Sequence, residues 1–150
     1  MVNKKTQSCN CNEAERKESQ TKTRIDPITP KIYGEGRPVT GEVVTVLHAR
    51  FDRRILNLVE ARSRALLQNE IHEFMTVDGK EGSAIAFFEV KRGGVAVVGD
   101  EVTIGNKAFG KIAGFDVNHM PNHMNIVIKT KTSTISPTSL GDKVIIQRSK

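Results

Sequence analysis

From Phe74 to the C-terminus the chain is a succession of short apolar runs, each broken within a few residues by Gly, Asp or Asn. Runs that short seldom support independent helices, but they suit antiparallel strands joined by tight turns. The pattern predicts strands at 84–90, 95–98, 101–104, 108–117, 124–130 and 143–147. The valine-rich GEVVTVLHARF at 41–51, bounded by Gly41 and Asp52, precedes them. Gly105-Asn106 offers two residues that tolerate positive φ, as a two-residue hairpin turn requires. Gly110 and Gly114, inside one long strand, predict bends or bulges of the kind that curl a sheet into a barrel. VVGDEVTI at 97–104 and SLGDKVII at 139–146 share G-D-x-V-x-I. In both, the Gly can turn the chain, the Asp can bond the turn backbone, and the alternating aliphatics can point into a core.

Between the first strand and Phe74 the period changes. Asp52 is a good N-cap, and Ile55, Leu56, Leu58, Val59, Leu66 and Leu67 recur at helical spacing, opposite Arg53, Asn57, Glu60, Arg64 and Gln68. An amphipathic helix over about 53–72 is expected, with an exposed Arg face. The fold class expected is therefore mainly β: a small antiparallel β-barrel at 41–150 with one helix inserted after its first strand. A Pro/Gly connector at 25–40 and a disordered polar tail at 1–24 would precede it, because the tail has too few apolar groups to offset the entropy of ordering.

A 37% hydrophobic content in 150 residues suffices for one modest core. No run approaches the roughly 18 apolar residues of a membrane span, and the first residues lack the apolar centre of a signal peptide, so a cytoplasmic protein is expected. Both cysteines, Cys9 and Cys11, fall in the tail, which excludes a disulfide framework for the barrel. The net charge of +6 divides evenly, +3 in residues 1–40 and +3 in 41–150. With one Tyr, no Trp and no aromatics interleaved with Arg or Lys, nothing marks a base-stacking surface.

The order of Gly41-Glu42-Val43, Val98–Ile104 and Gly141–Ile146 resembles the second domain of elongation factor Tu and its relatives, the translation-factor β-barrel. The likeness covers 41–51 and 83–147. The same G-D-x-V-x-I segments are similar, more weakly, to the sugar-alcohol-specific IIA components of bacterial phosphotransferase systems, and the whole domain looks like a small prokaryotic family with no assigned activity. The translation-factor resemblance implies a barrel that touches RNA or other protein domains. The absence of a G-x-x-x-x-G-K-[ST] motif means that it does not imply GTP hydrolysis.

The segment DVNHMPNHMNIVI at 116–128 holds the best site candidate. Pro121, between His119 and His123, forbids a regular helix across the pair, so any shared site must come from a loop. Asp116, His48 at the end of the first strand and His72 after the helix could add nitrogen or oxygen donors, which makes a divalent transition metal the cofactor to consider. The alternative is structural: Asn118, Pro121 and Asn122 form a turn, and Met120 and Met124 plug the barrel mouth. No cysteine nucleophile, G-x-S-x-G or paired acid and base appears, and Glu73 reads as a surface or turn residue beside Glu70, Asp78, Glu81 and Glu89. The leading expectation is a non-catalytic accessory module that meets a protein or RNA partner through a loop face with His48, His119, Asn122 and His123 and a helix face with Arg53 and Arg64. The alternative is a metal-dependent or small-ligand enzyme using the histidine cluster. An open barrel edge would favour pairing with a second copy.

Overall fold

In the first strand, burial alternates from Val39 through Gly41 to Val43, as a strand with one inward face requires. The computed structural model describes residues 32–130 and 137–149. The predicted tail at 1–24, its two cysteines and the connector as far as Lys31 lie outside them. The strands are β1 (Val39–Asp52), β2 (Ser63–Leu66), β3 (Ile71–Asp78), β4 (Glu81–Arg92), β5 (Gly94–Val97), β6 (Glu101–Ile104), β7 (Lys107–Asp116), β8 (Asn125–Lys129) and β9 (Lys143–Gln147). Seven of them close a barrel in the order β1-β4-β3-β8-β7-β6-β9, and β9 pairs back onto β1. Every neighbour is antiparallel except β3 and β8, which run parallel. Strands β2 and β5 form a separate two-stranded sheet. The seven-stranded ring has no free edge, so the open edge considered for self-pairing is absent from the barrel.

The core is filled by Val43, Phe74, Phe88, Val102, Ile104, Phe115, Ile126, Ile128, Val144 and Ile146, with Leu66 and Ala96 added from the small sheet. Phe74 stacks on Phe88 with ring centroids 4.2 Å apart. The two G-D-x-V-x-I segments lie side by side, Val102 opposite Ile146 and Ile104 opposite Val144. Their turns are built alike. Gly99 and Gly141 take φ of +97° and +86°. The Asp100 carboxylate accepts from the Val97 amide at 2.9 Å, and the Asp142 carboxylate from the Ser139 amide at 2.8 Å. Gly105 and Asn106 both have positive φ, as their hairpin needs. Gly110 sits where the β6–β7 register slips, with φ +151°, and a Cβ there would collide with the Lys129 carbonyl. The predicted bulge at this position therefore forms.

The predicted helix over 53–72 does not form. Asp52 does cap a turn, accepting from the Arg54 amide at 2.9 Å, but only a single 3-10 turn follows, Arg53–Ile55. The chain then extends: Leu58 bridges to Asp116, and Ser63–Leu66 pairs with Gly94–Val97. Leu66 is 1% exposed and its neighbour Leu67 61%, an alternation that a helix placing both on one face cannot give. Helical propensity is a weak preference, and strand partners already in place outweigh it. The first strand also starts at Val39, two residues before Gly41.

The two neighbouring leucines test this reassignment. Leu66→Ala should cost about 2–4 kcal/mol by emptying a core position. Leu67→Ala should stay within about 0.5 kcal/mol of the parent. Urea denaturation of the two variants decides it, and equal losses would restore the helix.

Candidate metal centre

Strand register sets four side chains in a row. Asp116 on β7 pairs with Asn125 on β8, Asn125 with Glu73 on β3, and Glu73 with Phe87 on β4. The adjacent row of Phe115, Ile126, Phe74 and Ala86 belongs to the core, so alternation puts the first row on the outer face of the barrel. The loop from Val117 to Met124 covers that outer row. It turns through hydrogen bonds from the Met120 amide to the Val117 carbonyl and from the Asn122 amide to the His119 carbonyl. These turns bring the His119 and His123 rings to 5.0 Å, with His123 edge-on to Phe87 at 4.8 Å. The Glu73 carboxylate and one ring nitrogen from each histidine then lie within 4.8 Å of one another.

Glu73 is only 5% exposed, yet its Oε2 has no hydrogen-bond partner. The buried Nε2 of His123 has none either, and it lies 3.9 Å from Glu73 Oε1. Burial raises the Glu73 pKa, the Asp116 charge adds to the rise, and His119 opposes it. The His123 pKa is lowered, first by burial and then by repulsion from His119. Both groups are thus pushed toward neutrality. A buried acceptor and a buried ring nitrogen left unpaired beside a third donor are unusual in a native barrel, where buried polar groups are nearly always bonded.

The surroundings orient these donors. His123 Nδ1 contacts Asn122 Oδ1 at 2.7 Å, and with that nitrogen donating its proton the Nε2 lone pair is free to face Glu73. Asp116, fully buried, accepts from the Asn57 amide at 2.5 Å and from Asn125 Nδ2 at 2.6 Å. A carboxylate can only accept, so it settles which end of the Asn125 amide is nitrogen. The same amide reaches His119 Nδ1, with Oδ1 at 3.2 Å and Nδ2 at 2.9 Å. When Oδ1 accepts from Nδ1–H, His119 Nε2 is left as a ligand. A carboxylate or amide behind each imidazole is the usual way in which proteins aim metal-binding histidines.

Two of the four histidines stay apart from this group. His72 lies on the opposite face of β3, at the barrel end. Its Nδ1 accepts from the Met124 amide at 3.3 Å and its Nε2 meets Glu70 at 2.8 Å, so both nitrogens are engaged. His48 is exposed within β1, not at its end, and lines a shallow cleft with Ser83, Ile85 and Pro137. Arg53 is exposed on the 3-10 turn and donates to the Gly79 carbonyl at 3.1 Å, while Arg64 is on β2, so they share no helix face. Met124 is buried in the core, as expected of a plug, but Met120 is exposed. Glu73 is the candidate ligand that the sequence pattern did not single out. Its signal was the pairing of an acid with Met75 and Val77 on the same strand face, which marks a buried carboxylate.

Residues 33–147 match a family of unknown function (DUF6917), and the chain belongs to that family. Neither a curated protein nor a solved structure matches it.

The raised Glu73 pKa has a sign that can be measured. In metal-free protein the unfolded chain ionises near the ordinary carboxylate value and the folded chain only at higher pH, so Glu73 lowers stability as pH rises from that ordinary value through its folded one. Glu73→Gln should therefore unfold at higher urea than the parent at pH 8, with the gap closing toward pH 4. A gap that is constant with pH would mean that Glu73 does not titrate in a buried setting.

Proposed function

We propose that this barrel binds a divalent transition metal through Glu73, His119 and His123, and that it is a metal-dependent small-ligand protein or enzyme. The observation that carries the proposal is the unpaired Glu73 Oε2 and His123 Nε2, buried together within reach of His119. Two imidazoles and one carboxylate are a known donor set for catalytic zinc and for non-haem iron, both of which keep further positions open. Ligand bonds of about 2.1 Å would bring the donors closer together than they stand, a closure that side-chain rotations in the 117–124 loop can supply. His119 is exposed, so the open positions face solvent and a ligand can approach. Bound there, the ion would supply Lewis acidity to a water or a substrate carbonyl.

The accessory-module expectation joined a His-containing loop face to an Arg-bearing helix face; the helix does not form, and Arg53 and Arg64 lie on separate elements. The likeness to the translation-factor barrel supports an argument about architecture, not about an RNA partner. Among the described residues no helix is long and apolar enough to cross a membrane.

Untagged protein should take up one equivalent of Zn²⁺ or Co²⁺, with Co²⁺ giving visible absorption typical of low coordination number. His119→Ala, His123→Ala and Glu73→Ala should each weaken binding roughly a hundredfold or more. Asn125→Ala, which only orients His119, should weaken it by about ten- to a hundredfold. His48→Ala should leave it unchanged. Absence of stoichiometric uptake, or equal loss in the His48 variant, would refute the proposal.

A further inference from the structure

Beside the 117–124 loop, and lined in part by His123, lies a pocket of about 340 Å³. Strand β2 contributes Arg64 and Leu66, Glu70 precedes β3, whose start contributes Ile71 and His72, and the loop contributes Met120 to Met124. The unforeseen pairing of β2 with β5 is what carries Arg64 to this wall. Arg64 Nε is buried without a hydrogen-bond partner, and among the described residues no carboxylate lies within ion-pair distance of its guanidinium. A guanidinium donor removed from water and left unpaired is costly, and a bound anion is the simplest acceptor that would satisfy it.

The remaining walls narrow the ligand further. Leu66, Ile71, Met120, Pro121 and Met124 are apolar, and Ile71 and Met120 are each 46% exposed at this site. Large hydrophobic side chains left in water around a pocket favour a ligand with an apolar body. Glu70 is the only other fixed charge on the wall. It is already engaged, accepting from the Leu67 amide at 3.0 Å and meeting His72 Nε2 at 2.8 Å, so it does not neutralise Arg64. Its charge would repel a ligand carrying two or more negative charges more strongly than one carrying a single charge.

We propose that this pocket binds a small aliphatic monocarboxylate, its charged end on Arg64 and its chain against Ile71, Met120 and Met124. The site stands apart from the metal reading, although His123 belongs to both. It supplies the kind of small anionic ligand that a metal-dependent protein would act on or sense.

The test titrates the full chain with hexanoate, hexan-1-ol, hexylamine and inorganic phosphate, followed by backbone amide NMR. Hexanoate should shift the amides of Arg64 to Leu66, Ile71 and Met120 to Met124, and the other three probes should leave them in place. Arg64→Gln should weaken hexanoate binding roughly tenfold or more, the scale of a lost charge-assisted hydrogen bond. Ile71→Trp, at an exposed position where folding should tolerate it, should block the pocket without altering charge. The titration is run on chelator-treated protein, so hexanoate binding there does not depend on a metal ion, which separates failure here from failure of the metal reading. Hexanol binding as well as hexanoate, an unshifted pocket, or full affinity in both the Arg64 and Ile71 variants would overturn the proposal.

Discussion

The parallel pairing of β3 with β8 is the constraint on which the core and the site both depend. Parallel neighbours cannot be joined by a tight turn, and here the connection from β3 to β8 runs through β4, β5, β6 and β7. The pairing sets Phe74 beside Ile126 and Glu73 beside Asn125. Because side chains alternate, a slip of one residue would turn Glu73 inward and expose Phe74. The apolar filling of the barrel therefore enforces the position of the carboxylate. The site needs no fixing of its own, since the core already holds the register.

The outer row shows two ways of burying a polar group. Asp116 is enclosed and well supplied with donors, from the Asn57 amide and the Asn125 side chain, so its burial is compensated. Asp100 is treated alike, taking the Val97 amide on one oxygen and Arg148 on the other at 2.9 Å. Glu73 is also buried, yet its Oε2 has no hydrogen-bond partner. A fold that satisfies its structural acids and leaves one acid and one imidazole unpaired side by side has placed an electrostatic cost at one spot. Such local costs collect at sites that await a ligand.

The histidines follow the same division. His72 spends both ring nitrogens on the backbone and on Glu70, tying the barrel end to the loop that starts β8. His119 and His123 are held by side-chain amides, and one ring nitrogen of each lies within 4.8 Å of the Glu73 carboxylate. One loop thus joins two surfaces: its inner contacts complete the row with Glu73, and its outer turn walls the pocket with Arg64.

Local residue chemistry determined the strands and their punctuation. Period-two aliphatics, the paired Gly-Asp corners and Gly105-Asn106 act through backbone geometry and near neighbours, so their outcome can be read without knowing the fold. The barrel class follows from them, and so does the loop character of 117–124, because Pro121 bars a helix locally. What only the tertiary structure decided was residues 53–72, where helical spacing lost to strand partners distant in sequence, and with it the place of Arg64. It also decided that Glu73, ordinary in sequence, meets His119 and His123. Those outcomes depend on pairings between segments tens of residues apart, and the free energy of such pairings is set by shared burial that no local window contains.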